Sequence, residues 1–167
     1  MNHSRNIALC KKSPRSLTKG MVQSVRASIN LINLVNTQSP ANRARQSEAR
    51  NYVGTMNRGQ QAVFLETGKF AGTVAELAIG IRDKTENYNY RIMVLDVKNA
   101  VQQVAIPKNN SLKSYIGLVY VDNSVKPSEM ITQSLLCESI KPMQALPPKF
   151  KLTGTPTCPE GYVRIGN

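Results

Sequence analysis

Apolar positions recur three or four apart in one stretch of the chain and alternate in a later one. Between residues 41 and 66, Ala49, Tyr52, Val53, Met56, Val63 and Phe64 share one face at helical spacing, with Gln60 the only polar interruption. Arg45, Glu48, Arg50 and Arg58 fall elsewhere on the circumference. Such a stripe is buried against something, so these side chains are expected to pack a core and not to bind a ligand. Ser39 followed by Pro40 supplies a cap and a first helical position, and the spacing predicts a helix from there to about Glu66. Arg43 and Arg45 then stand in its first turns, where the helix dipole disfavours each cation by about 0.3–1 kcal/mol. Either water and salt screen them, or the helix of a complete protein continues upstream and places them in its middle.

After Gly68 the pattern Thr73-x-x-Glu76 reads as a capping box, and Ala75, Leu77, Ala78 and Ile79 predict a short second helix ended by Gly80. Stretches rich in β-branched and aromatic residues follow. They predict strands at Tyr88 to Val97, Val101 to Ile106, Ser114 to Val121 and Met130 to Glu138, with turns at Lys98-Asn99, Lys108-Asn109-Asn110 and Asp122-Asn123. Links this short cannot hold crossover helices, so neighbouring strands must be antiparallel. The expected class is α+β: one long amphipathic helix laid across a meander of about four strands, a roll. From Ile140 onward Pro142, Pro147, Pro148, Pro156 and Pro159 forbid regular structure and leave a loop over the surface. Cys137 and Cys158 bracket that loop at a separation of 21 positions. A bond between them would add about 3 kcal/mol on the chain-entropy model and imply an oxidising compartment. Two unbonded thiols are the other reading of the same spacing.

A length of 167 residues, 41% hydrophobic and 19% charged, suits one domain with a real core. Composition excludes collagen-like, solenoid and wholly disordered chains, and no run of about 18 apolar residues provides a membrane span in the chain as written. Residues 1–40 are atypical and are expected to be disordered or weakly helical, with the globular domain at 41–167. Lys11 to Lys19 is basic and broken by Pro14, and the apolar run Ile29 to Val35 is interrupted by Asn30 and Asn33, which spoils it as a secretory signal. Asn2 and Asn109 stand in glycosylation sequons, which carry little weight if the source is bacterial.

Net charge is +12, and residues 1–50 hold 9 basic residues against 1 acidic. Such an excess attracts anionic partners and motivates one alternative, a basic nucleic-acid-binding module in which Tyr88, Tyr90 and Tyr115 stack on bases. Dispersed lysines and arginines, without a recognised binding motif, argue against it. The candidate chemistry is thin. His3 is the only histidine and Cys10, Cys137 and Cys158 the only cysteines, so neither a Ser/His/Asp triad nor a thiolate zinc cluster can be assembled. No phosphate-loop, dinucleotide or HExxH pattern occurs, and Asp83, Glu86 and Asp96 are scattered. No catalytic residue, cofactor or metal site is assigned, and enzyme activity is not expected.

The segment Ala41-Asn42-Arg43-Ala44-Arg45-Gln46-Ser47-Glu48-Ala49-Arg50-Asn51-Tyr52 and its continuation to Ala62 resemble the helix of bacterial type IV pilin-like proteins of the G/H group. Phe64 to Ala71, Leu112 to Gly117, Leu136-Cys137-Glu138 and Leu152 to Cys158 are similar to that group as well, so the resemblance covers residues 41–167. It implies a pilin or pseudopilin head with a Cys137–Cys158 bond closing the C-terminal loop. Its implied role is structural, in a surface filament or secretion pseudopilus serving adhesion, motility, DNA uptake or secretion. The implied partners are other pilin subunits and the assembly machinery, with DNA as a further ligand, and the implied location is the cell surface. One departure is plain. A type IV prepilin carries a basic leader, a glycine cleavage site, a glutamate five positions later and about 20 apolar residues. Here Gly20 is followed by Val25 in the glutamate position, and Arg26, Asn30 and Asn33 interrupt the apolar part. The expectation is that residues 1–40 replace the biological start through a frameshift or misjudged start codon; a soluble paralogue is the competing explanation.

Overall fold

The computed structural model describes residues 38–122 and 131–166. The atypical N-terminal segment with His3, Cys10, Gly20 and the run Ile29 to Val35, the turn at Asn123 and the predicted strand start at Met130 lie outside them. The long helix α1 spans Pro40–Thr67. Ser39 caps it as its position requires: Oγ accepts the Asn42 N–H at 3.2 Å, and Pro40 fills the first turn, where a missing N–H costs nothing. At the other end Gly68 takes the left-handed conformation at φ 68° and donates its N–H to Phe64 O at 2.8 Å. The first turn holds no acidic residue. Arg43 there is exposed to water, and Arg45 donates to Asn42 Oδ1 at 3.3 Å.

The capping box forms: Thr73 Oγ1 donates to Glu76 Oε1 at 2.9 Å and accepts the Glu76 N–H at 3.3 Å. The predicted second α-helix does not. It is a single 3-10 turn, Ala75–Leu77, because Ala78 enters the left-handed region at φ 51°. Leu77 is thereby turned into the core while Ala78 faces solvent.

Five antiparallel strands form one sheet in the order β1-β2-β3-β4-β5: β1 Tyr88–Asp96, β2 Ala100–Pro107, β3 Tyr115–Asp122, β4 Ile131–Ser139 and β5 Tyr162–Arg164. The expected meander therefore gains a fifth strand, only three residues long, which the tail adds beside Cys137–Ser139. Alternation sorts the side chains onto two buried faces. Tyr88, Tyr90, Ala105, Tyr115 and Leu136 pack under Ala49, Val53 and Met56 of α1, and Val101, Val119 and Val121 under Phe64 and Phe70. On the opposite face Val104, Ile116, Leu118, Leu135 and Cys137 are covered by Phe150 and Tyr162 from the tail. The sheet lies between a helix and a loop, which is why Ala100–Ala105 of β2 are buried at every position.

Candidate interaction surface

The helix stripe and the closed tail were the two features singled out in the sequence. Ala49, Val53 and Met56 are fully buried and Phe64 nearly so; Tyr52 and Val63 are half-buried and pack against the same core. Tyr52 also sets its ring 5.1 Å from that of Tyr90. Three polar residues of α1, Gln46, Asn57 and Gln60, are buried beside the stripe. Gln60 is not an interruption but a clasp. Its Nε2 donates to Ala71 O and its Oε1 accepts the Ala71 N–H, both at 2.9 Å, tying the chain after the helix back against it. Gln46 Oε1 accepts the Lys113 N–H at 3.0 Å. On the far side of the sheet Gln102 repeats the device, donating to Pro148 O at 2.9 Å and accepting the Phe150 N–H at 3.0 Å. A carboxamide presents one donor and one acceptor side by side, which matches a peptide group that has no ladder partner.

Asn57 seats the helix on the centre of the sheet. It lies over Gly117 of β3 and donates Nδ2 to Leu135 O of β4 at 3.2 Å. A methyl group at residue 117 would stand 2.1 Å from Asn57 Oδ1 and 2.9 Å from Val53 Cγ1, so only glycine admits this approach. Sequence reasoning missed the pair, since each residue taken singly looks like a defect.

Tyr88, Tyr90 and Tyr115, the proposed base-stacking residues, are 0%, 2% and 1% exposed. Their rings pack on one another under α1, with centroids 6.1 and 6.4 Å apart. Their hydroxyls bond Lys113 O at 3.0 Å, Glu48 Oε1 at 3.4 Å and Glu138 Oε2 at 2.9 Å. Burial, with the neighbouring Glu48 and Glu138 carboxylates, raises all three phenol pKa values. Their faces are unavailable to a base, which removes base stacking on these three side chains from the nucleic-acid alternative. Glu138 also receives Lys113 Nζ at 2.5 Å, closing a polar lid over this end of the core.

Cys137 and Cys158 are bonded, with Cα atoms 5.9 Å apart. The loop between them is tied both to β2, through Gln102, and to the turn between β2 and β3. Met143 N–H reaches Leu112 O at 3.1 Å, Gln144 Nε2 reaches Lys108 O at 2.8 Å, and the Tyr162 hydroxyl meets Ser114 Oγ at 2.7 Å in the buried layer beneath it. Its outward side presents Lys149, Lys151 and the exposed Leu146 and Leu152. Among the described residues no group of three or more His, Cys, Asp or Glu side chains is placed to hold a metal ion, and no helix is long and apolar enough to cross a membrane. A family model described as type IV pilin-like G and H matches residues 46–159. No curated protein and no solved structure matches the chain.

Proposed function

The chain belongs to the type IV pilin-like G and H family, a family of structural pilin-type subunits, and from that premise we propose that residues 41–167 are the globular head of a subunit of an extracellular filament or secretion pseudopilus. The observation that carries the proposal is the family match across the helix, the sheet and the disulfide-closed loop together. The supporting physics is mechanical. A head that transmits load between neighbours needs a helix that cannot slide on its sheet, and Asn57 over Gly117 and the Gln60 clasp resist sliding. It also needs a contact surface that keeps its shape, which the bonded and stitched tail supplies. Its partners in this reading are other pilin subunits and the assembly machinery, and its place is the cell surface; adhesion, motility, DNA uptake and secretion are the roles such an assembly serves.

Immunogold electron microscopy with antibody raised against the folded head, on cells with and without the gene, tests this. Label along filaments, with filaments lost in the deletion strain, identifies a principal subunit. Sparse or tip label with filaments retained identifies a minor one. Label confined to the cell interior would sink the proposal.

A further inference from the structure

β4 has two unequal halves. β5 pairs with Cys137–Ser139, and Ile165 N–H reaches Leu136 O at 3.0 Å, but no strand among the described residues covers Ile131–Leu135. By the alternation of an antiparallel ladder, the backbone groups of Thr132 and Ser134 point to the same outer side as those of Leu136. Helix α1 already reaches over to this edge: Gln61 Nε2 donates to Thr132 O at 3.2 Å and to its Oγ1 at 3.3 Å. Among the described residues, the Ser134 N–H and C=O and the Thr132 N–H have no hydrogen-bond partner. Natural edges are often blunted by lysine or proline, and residues 131–135 contain neither.

Beside this edge runs a groove of about 430 Å³ between α1 and β4, with Gly166 also in its lining. Its floor is low at Gly54, where an added Cβ would meet only the Arg58 guanidinium, at 3.8 Å. Arg50 and Arg58 are its only charged lining residues. Both are exposed, and neither has a carboxylate partner among the described residues. They are separated by eight residues of helix, a rise of about 12 Å, which four residues of extended chain match at about 13 Å.

We propose that this groove is a strand-addition site for an extended acidic polypeptide segment of a partner protein, which pairs with the outer edge of β4 at Thr132 and Ser134 and places carboxylates four positions apart against Arg50 and Arg58. The two walls together select the class. A row of alternating N–H and C=O groups is matched in register by another polypeptide backbone, whereas a phosphate backbone offers acceptors alone. The guanidiniums, which no carboxylate of the described residues neutralises, select for acid and set the register. Because side chains alternate across a strand, carboxylates at even spacing share the helix-facing side and odd spacing turns one of them away. The assignment stands on edge and charge alone and does not depend on the filament reading.

The test is amide-resolved NMR titration of the full chain, disulfide intact, with a blocked heptapeptide of alternating threonine and valine carrying two glutamates four positions apart. Shifts should concentrate at Thr132, Ser134, Arg50 and Arg58. Replacing both glutamates by glutamine, or using Arg50→Gln with Arg58→Gln, should each weaken binding by about tenfold or more. A proline at the peptide centre should abolish it. So should Ser134→Pro, which removes only an outward N–H on an edge and should leave the thermal midpoint nearly unchanged. Should that variant fail to fold, the proline peptide carries the same test. The proposal is overturned by no binding at about 1 mM peptide, by equal binding of the glutamine peptide, or by shifts elsewhere on the surface. A DNA duplex of equal charge that binds through the arginines while the peptide does not, or self-association through this edge in place of peptide binding, overturns it as well.

Discussion

Gly117→Ala is the smallest change that tests how the helix is seated. The new methyl would lie 2.1 Å from Asn57 Oδ1, 2.9 Å from Asn57 Cγ and 2.9 Å from Val53 Cγ1, whereas ordinary contact begins at 3.4 Å. Asn57 must therefore retreat by more than an ångström, which its 3.2 Å bond to Leu135 O does not survive. Val53 cannot rotate away cheaply, because a β-branched residue in a helix has essentially one χ1 well. The remaining relief is a lift of α1 off the sheet centre. Overpacking of this kind costs about 1–3 kcal/mol, and the lost buried hydrogen bond adds about 1 kcal/mol. The expected destabilisation is thus about 2–4 kcal/mol, a large fraction of the total stability of a domain this size.

Urea unfolding with the disulfide intact measures it, read as a fall in midpoint at unchanged m. The mechanism makes a sharper demand on a double-mutant cycle. Asn57→Ala alone loses the Leu135 bond but also removes Oδ1, a buried acceptor with no donor among the described residues, so it should cost only about 1 kcal/mol. In the Asn57→Ala background Gly117→Ala should be far milder, with a coupling of at least about 1 kcal/mol in the relieving direction. Additive costs, or a Gly117→Ala penalty below about 0.5 kcal/mol, would refute the close seat of Asn57 over Gly117.

Gln60→Leu keeps volume and apolar phase but strands the buried Ala71 N–H and C=O, and should cost about 2–4 kcal/mol by chemical denaturation; a neutral result would show that the clasp contributes nothing net. Breaking the Cys137–Cys158 bond by paired serine substitutions frees a loop with a sequence separation of 21, and should lower stability by about 3 kcal/mol, less if the tail's hydrogen bonds already restrict the reduced chain. Tyr88, Tyr90 and Tyr115 have folded pKa values raised above the unfolded value near 10, so the stability they confer is whole below pH 10 and declines as pH climbs toward the folded values. Each contributes a loss of up to about 1.4 kcal/mol per pH unit in that window, and tyrosinate absorbance from these residues should appear together with loss of far-ultraviolet helix signal, not before it.

What could be read from the chain was whatever repeats. The helix stripe and the strand runs announce themselves by period, and short links alone fix their antiparallel order. The tail's strand does not: Tyr162–Arg164 is too short to show alternation, and it exists because residues already held beside β4 can pair with it. Spacing left the two cysteines undecided between bond and thiols, and the β4 to β5 pairing with the docking of Phe150 is what brings Cys158 back to Cys137. The capping box at Thr73 was read correctly as a start signal, yet the turn stops at Ala78, after Leu77 has reached the core.

The residues that escaped the pattern share a physical reason. Gln46, Gln60, Gln102 and Asn57 occupy positions where apolar periodicity predicts a hydrophobe, and Gly117 stands where a strand wants a β-branched residue. Each is a mismatch alone and a match only with a partner from a distant part of the chain: Ala71, Lys113, Phe150 and Leu135 for the carboxamides, Asn57 for the glycine. Gln103 shows the limit of that rule. It is fully buried on the helix side of β2, directly across from Gly117, and neither of its polar atoms has a hydrogen-bond partner among the described residues. A buried carboxamide left this way costs about 1–3 kcal/mol, while its neighbour Asn57 holds an acceptor equally without a donor. The seam between α1 and β2–β3 is therefore where an apolar replacement should gain stability, and Gln103→Leu is expected to raise the urea midpoint; a lowered midpoint would refute that reading.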